Sequence, residues 1–151
     1  MTDLSGTKDM AGNRTLTIIK PDAFGSGKAG QIVAHLEKGG FRIVAARVMQ
    51  LTDAQAGAFY EVHRERPFFG SLTSFMTSGP CMPIVLEKAG AVASLRDAIG
   101  STDPAEAANG TVRKLFAESK ERNAIHASDS DENAERESRF FFSESELLRA
   151  R

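Results

Sequence analysis

RTLTIIKPDAFGSGKAGQIVAHLEKGGFRIVAARVMQL, residues 14–51, carries the first strand–helix–strand unit of the chain. Leu16, Ile18 and Ile19 fall in a β-rich run, Thr15–Lys20, which Pro21–Asp22 ends because proline cannot donate to a sheet ladder. After Gly25, Gly27 and Gly30, the apolar residues Ile32, Val33 and Leu36 recur at helical spacing until Gly39–Gly40 stops the helix. Phe41–Leu51 is rich in valine and isoleucine and is expected as a second strand.

Towards the C-terminus, Thr52 or Asp53 is placed to cap a helix carrying Phe59, Tyr60 and His63. Pro67 is expected to open another, with Phe68, Leu72, Phe75 and Met76 on one face. Ser78–Gly79–Pro80 breaks the chain, Met82–Glu87 reads as a third strand, and a helix runs through Val92, Leu95 and Ile99 to Gly100. Ser101–Arg122 is long and polar and holds Pro104 and Gly110, with at most a short helix near Val112–Glu118. Loops of that length in compact domains are usually functional. Ala124–His126 is then a short strand and Asp131–Phe142 a helix. The order β-α-β-α-α-β-α-β-α predicts an α/β (α+β) sandwich of the split-βαβ, ferredoxin-like kind, a four-stranded antiparallel sheet covered by helices. Residues 1–13, small and polar, are expected as a flexible arm, 14–142 as one domain, and 143–151 as a tail.

The totals agree with a single domain. At 151 residues the chain is long enough to bury a core without disulfide or metal support. A net charge of −1 argues against a nucleic-acid coat or a membrane-surface protein. The one cysteine, Cys81, excludes a disulfide within the chain and fits a reducing compartment; beside an apolar run it is expected as a small buried thiol. There is no stretch of membrane-helix length and no signal-peptide pattern at the start, so a cytoplasmic location is expected.

GSGKAG (25–30) between strand and helix invites a phosphate-loop reading, which fails on chemistry. That motif needs a glycine five residues before the Gly-Lys pair and a Ser or Thr after it as magnesium ligand. Asp22 and Ala29 occupy those places, so a flexible turn with a solvated Lys28 is expected.

Of the three histidines, His35 lies mid-helix and His63 at a helix end, both ordinary positions. His126 ends a short strand directly after the long polar loop. Ser128, Asp129 and Ser130 offer donors and acceptors in the next turn, and Glu137 lies in the following helix, where the chain can fold back to orient the imidazole. A base oriented by a carboxylate is a recurrent catalytic arrangement.

TIIKPDA (17–23), RPFF (66–69), SGP (78–80), GSTDPAEA (100–107), GTVR (110–113) and NAIHASDSDENAERE (123–137) resemble the nucleoside diphosphate kinases. They occur in the family order and with near-family spacing across residues 14–142. The resemblance implies a ping-pong enzyme in which His126 accepts the γ-phosphoryl group of one nucleotide and hands it to the next. Its imidazole, with an ordinary pKa of about 6.5, offers a free lone pair at neutral pH. Lys20, Arg96 and Arg113 are the matching cations for the phosphates, where arginine's fork suits phosphate oxygens. Thr102 is implied as a further phosphate contact, Asn123 with Lys20 as holders of the ribose hydroxyls, and Tyr60 as the histidine's neighbour. Phe68 matches the base-stacking residue; a ring grips the π-face that every base has, so broad base specificity is expected. The catalytic set is therefore His126, Lys20, Tyr60, Glu137 and Ser128. Mg2+ is the implied cofactor, held mainly by the nucleotide's phosphates and water with no protein metal site. Partners are nucleoside di- and triphosphates and further copies of the chain, in a tetramer or hexamer.

Four residues depart from the family pattern. Ala127 stands where glycine is usual, and a positive φ there would strain alanine by about 1 kcal/mol. Lys114–Leu115 replaces a small-then-acidic pair, and Ser138 takes a generally aliphatic place. The tail SESELLRAR (143–151) is expected against a neighbouring subunit. A non-enzymatic nucleotide-binding module is disfavoured by the intact His126. An RNA-binding sandwich requires exposed strand aromatics and a basic face, which the strands do not offer.

Overall fold

The computed structural model describes residues 12–148, so most of the expected arm and the last three residues of the tail lie outside the described residues. Strand β1 (Arg14–Ile19) is followed by a one-turn helix α1 (Pro21–Gly25), then α2 (Ala29–Lys38) and β2 (Arg42–Ala46). Next come α3 (Asp53–Phe59), a 3₁₀ turn (Glu61–His63), α4 (Phe69–Met76), β3 (Met82–Glu87) and α5 (Ala91–Ile99). The short α6 (Val112–Phe116), β4 (Ile125–Ala127), α7 (Asp131–Phe141) and α8 (Glu144–Leu148) complete it.

The sheet order is β2-β3-β1-β4 and every pairing is antiparallel, which is the expected ferredoxin-like arrangement. Both faces of the sheet are covered. Leu16, Ile18 and Val85 pack with Phe59, Met76 and Phe141, while Ile19, Ile84 and Leu86 pack with Ile32, Leu95 and Val112 on the other side. The alternation along β1 assigns successive residues to opposite cores. Each fully buried Leu or Ile contributes roughly 1.5–3 kcal/mol against exposure. Among the described residues no sheet face stays open for stacking RNA bases.

Local signals explain most boundaries. Thr52 caps α3 in a reciprocal box: its Oγ1 accepts from Gln55 N at 3.0 Å while Gln55 Oε1 accepts from Thr52 N at 2.9 Å. Pro21 does end β1, but it also opens α1, since a proline's missing N–H costs nothing in a first helical turn. The second strand is shorter than Phe41–Leu51: a bulge at Val44 shifts its register, pairing resumes at Ala45 and Ala46, and beyond the strand Arg47 N donates to Pro83 O at 3.2 Å and Met49 bridges to Cys81. Tyr60 and His63 do not share α3, which stops at Phe59. Cys81 is fully buried, as expected, and burial pushes its thiol up to about 11.

The tail is the clearest surprise. Leu147 is buried in the chain's own core beside Val44 and Phe142, and Arg14 Nη1 donates to Leu147 O at 2.6 Å. Arg47 Nη1 donates to Phe141 O at 2.7 Å while its guanidinium lies over the Phe142 ring. Arg14 of β1 and Arg47 just after β2 thus hold the C-terminal helices against the sheet.

Candidate active site

His126 sits on β4, the short edge strand, opposite Ile18, with its backbone carbonyl accepting from Thr17 Oγ1 at 2.7 Å. Pairing puts its ring on the Leu16–Ile18 face, edge-on to Phe59 at 5.6 Å between centroids. The side chain keeps 20% of its surface exposed, so the ring is held but not packed away. Helix α7, capped by Ser130 Oγ accepting from Asn133 N at 3.1 Å, presents Glu137 behind it.

Glu137 Oε1 lies 2.8 Å from His126 Nε2 and accepts from Ser128 Oγ at 2.7 Å. An ionised carboxylate only accepts, so Nε2 must carry the proton and donate it. The lone pair then resides on Nδ1, which has no hydrogen-bond partner among the described residues. A cavity of about 240 Å³ opens in front of the ring, lined also by Tyr60, His63, Arg96 and Asp129. The expected association of His126, Glu137 and Ser128 is therefore present as one hydrogen-bonded unit.

A larger cleft of about 570 Å³ lies beside it. Phe68, just before α4, lines it with Leu72 and Phe75 of that helix, and Lys20, Thr102 and Asn123 line it as well. Lys20 Nζ donates to Asn123 Oδ1 at 3.0 Å, and Asn123 Nδ2 donates to Thr102 O at 3.3 Å. Phe68 is 45% exposed, a large ring left open to solvent on a wall, unlike the half-buried Phe69 beside it.

The two expected arginines run along β4. Arg113 is buried, its Nε donating to Asn123 O at 3.3 Å, Nη1 to Gly100 O at 2.9 Å and Nη2 to Ile125 O at 2.7 Å. Arg96 Nη1 donates to Ala127 O at 3.3 Å. Burial and then the nearby Arg96 hold Arg113 down at about 10; burial and then Arg113 hold Lys20 down at about 8, with Asp22 opposing. Both shifts come first from burial and only then from a neighbouring cation, so Lys20, Arg96 and Arg113 form a partly desolvated cationic cluster that an anion would stabilise.

The backbone between the two cavities is strained, though not at the expected residue. Ala127 is paired with Thr17 in the ladder and extended, so its side chain meets no penalty. The one non-glycine with positive φ in the described chain is Ala124, at 77°. Ile125 N donates across it to Asn123 O at 2.9 Å, closing a γ-turn of the strained, positive-φ kind. Asp22 Oδ2 accepts from Ala124 N at 3.0 Å, Lys20 N donates to Ala124 O at 2.9 Å, and Arg113 holds the carbonyls on either side. Nearby, Gly100 has a φ of 88°, and a Cβ there would meet Thr111 Oγ1 at 2.6 Å, so only glycine fits.

Tyr60 lines the histidine cavity as expected, but the ring contacting the imidazole is Phe59. The Tyr60 hydroxyl is buried with no hydrogen-bond partner among the described residues, and burial together with the Glu137 charge raises its pKa. His63 has more to do than its helix-end position suggested. It lines the His126 cavity while its ring lies 5.3 Å from Phe68, so it stands between the two cavities. Asp22 and Thr17 were also missed; the only sequence signal was their place in the TIIKPDA stretch. Leu115, one of the departures, is simply exposed, and Ser138 Oγ is buried without a partner among the described residues. Among the described residues no three His, Cys, Asp or Glu side chains are grouped to hold a metal ion.

Residues 13–147 match the family model described as nucleoside diphosphate kinase. The nucleoside diphosphate kinase of Chlorobium chlorochromatii is 57% identical over 137 residues, covering 91% of this chain and 98% of that protein. The Gluconobacter oxydans enzyme of the same name is 57% identical over 139 residues, with 92% and 99% covered. A crystal structure of the Aquifex aeolicus nucleoside diphosphate kinase superposes with a TM-score of 0.87 at 46% identity, covering 90% of this chain and 99% of that one.

Proposed function

Because the chain belongs to the nucleoside diphosphate kinase family and is a nucleotide phosphotransferase, we propose that it transfers the γ-phosphoryl group by a ping-pong route through phosphorylated His126, with broad base specificity. The observation that carries this reading is the Glu137–Nε2 hydrogen bond, which leaves Nδ1 as the unprotonated atom of a ring that lines the cavity.

In the proposed route a nucleoside triphosphate stacks its base on Phe68, while Lys20 and Asn123 hold the ribose hydroxyls. Its phosphates extend past Thr102 towards Arg96, Arg113 and His126. Nδ1 attacks the γ-phosphorus: the N–P bond forms, the bond to the bridging oxygen breaks, and the diphosphate leaves with that electron pair. Glu137 steadies the positive charge that develops on the ring, and Ser128 fixes the carboxylate. A second diphosphate then attacks the phosphorus with its terminal oxygen and the imidazole is regenerated. Little else is required, since phosphoryl transfer depends mainly on positioning and charge neutralisation. Magnesium would be held mainly by the nucleotide's own phosphates and water and would supply further positive charge there. Tyr60 and His63 complete the wall around the transferred group. A homo-oligomer, tetramer or hexamer, and a cytoplasmic location belong to the same proposal.

Initial rates test the covalent route. With ATP and a second nucleoside diphosphate varied together, double-reciprocal plots are expected to be parallel; lines that intersect would require both nucleotides bound at once. Phe68→Ala tests the base platform. It is expected to weaken purine and pyrimidine nucleotides alike, by roughly 1–3 kcal/mol. A loss confined to one base would contradict stacking.

A further inference from the structure

Asp22 is a buried carboxylate that the proposed route does not use. It lies in the first turn of α1, is 5% exposed, and lines neither the cleft of Phe68 nor the cavity of His126. Its side chain makes one hydrogen bond among the described residues. Oδ2 accepts from Ala124 N at 3.0 Å, while Oδ1 is buried without a partner. An acidic residue in a first helical turn favours the helix from the surface, so the helix does not require this burial. Desolvating a carboxylate for a single backbone amide is costly, and the cost falls on one turn of chain.

That turn lies between the two halves of the site. Ile19 pairs with Ile125 in the β1–β4 ladder, and Lys20 N donating to Ala124 O extends the pairing by one step. There the chain leaves the strand through the γ-turn, and Asn123 Oδ1 meets Lys20 Nζ at 3.0 Å. Ala124 is fully buried at its φ of 77°, and Asp22 supplies the only acceptor for its N–H among the described residues. A strained backbone persists only where its surroundings over-determine it, and a buried N–H without an acceptor favours another conformation. On one side of Ala124 stands Asn123 with Lys20; two residues beyond it on the other side stands His126.

We propose that Asp22 is a positioning residue for phosphoryl transfer: by accepting from Ala124 N it holds the turn that fixes the spacing between the Lys20–Asn123 pair and His126. The inference rests on the phosphohistidine reading above and names a residue that acts on it through the backbone, without touching the nucleotide. Its charge has a second effect, opposing the burial and the Arg113 charge that hold Lys20 down.

The test follows labelling of His126 in a single turnover from two donors, ATP with magnesium and phosphoramidate. Phosphoramidate passes its phosphoryl group to an imidazole nitrogen with loss of ammonia, and it has no ribose for Lys20 and Asn123 to hold. Asp22→Ala is expected to slow labelling from ATP by on the order of 10²-fold, the loss that a displacement on the order of 1 Å produces, while labelling from phosphoramidate stays close to that of the unmodified protein. Asp22→Glu, which keeps the charge but moves the carboxylate by one methylene, is expected to lose labelling from ATP selectively as well. Asp22→Asn keeps an amide oxygen that can accept from Ala124 N and is expected to regain most of the ATP rate. Each protein is compared well below its own melting temperature, so that unfolded protein does not enter the rates. Equal losses with both donors, full ATP labelling in Asp22→Ala or Asp22→Glu, or an Asp22→Asn protein as slow as Asp22→Ala would each overturn the proposal. Unmodified protein that takes no label on His126 from ATP would instead sink the phosphohistidine route, and this inference with it.

Discussion

His126→Ala is expected to lower nucleotide exchange by on the order of 10⁴-fold or more while leaving the melting temperature within a few degrees, about the shift that 1 kcal/mol produces in a domain of this size. The chemical effect is large because the reaction is proposed to pass through the imidazole itself, and no neighbour can replace it. Ser128 Oγ shares the Glu137 carboxylate with the imidazole, but it already donates to Glu137 and is buried. The structural effect is small for a related reason. The ring is partly exposed, and Glu137 keeps Ser128 Oγ at 2.7 Å and Arg136 Nη2 at 3.6 Å when Nε2 is removed, so no buried carboxylate is stranded. Exchange assayed beside a thermal melt checks both halves.

Arg113→Ala is expected to damage stability and turnover together. Its guanidinium donates to the carbonyls of Gly100, Asn123 and Ile125, tying the end of α5 and the strained turn at Ala124 to β4. Removing it leaves buried carbonyls without these donors, at roughly 2–5 kcal/mol in all, or a fall in Tm of roughly 5–15 °C. Turnover of the fraction still folded is expected to fall by on the order of 10²–10³, from lost positive charge and a relaxed turn beside Lys20. Arg113→Lys separates the two contributions. It returns a charge but not the fork, so activity is expected to recover more than Tm. An unchanged Tm in Arg113→Ala would mean that the three backbone contacts do not support the fold.

The elements that were legible in the sequence are those set by local periodicity. β1 alternates Leu16 and Ile18 against Thr17 and Ile19, β3 is an unbroken apolar run, and Thr52 and Gln55 spell out a capping box. The antiparallel ferredoxin-like order followed from the succession of strands and helices. Legibility stopped where a conformation depends on distant partners. The positive φ of Ala124 is imposed by Asp22, Lys20 and Arg113, from two other segments, so attention to a missing glycine led to Ala127 instead. The inward packing of Leu147 depends on Arg14, 133 positions away, and nothing in SESELLRAR announces it. His63 lies on no helix face; a 3₁₀ turn aims it at Phe68. In the site, the pairing of His126 with Glu137 and Ser128 was readable because all three lie within one loop-to-helix stretch. Burial of Arg113 was not readable, since a lone arginine in a polar loop looks solvated.

Incubation of the purified protein with ATP labelled at the γ-phosphate, followed by chase with a different nucleoside diphosphate, tests the phosphohistidine most directly. The label is expected on the protein in a form stable to alkali and lost in acid, mapping to His126, absent from His126→Ala, and discharged onto the second nucleotide during the chase. Acid-stable label, or label that remains on the protein when the acceptor is added, would contradict it.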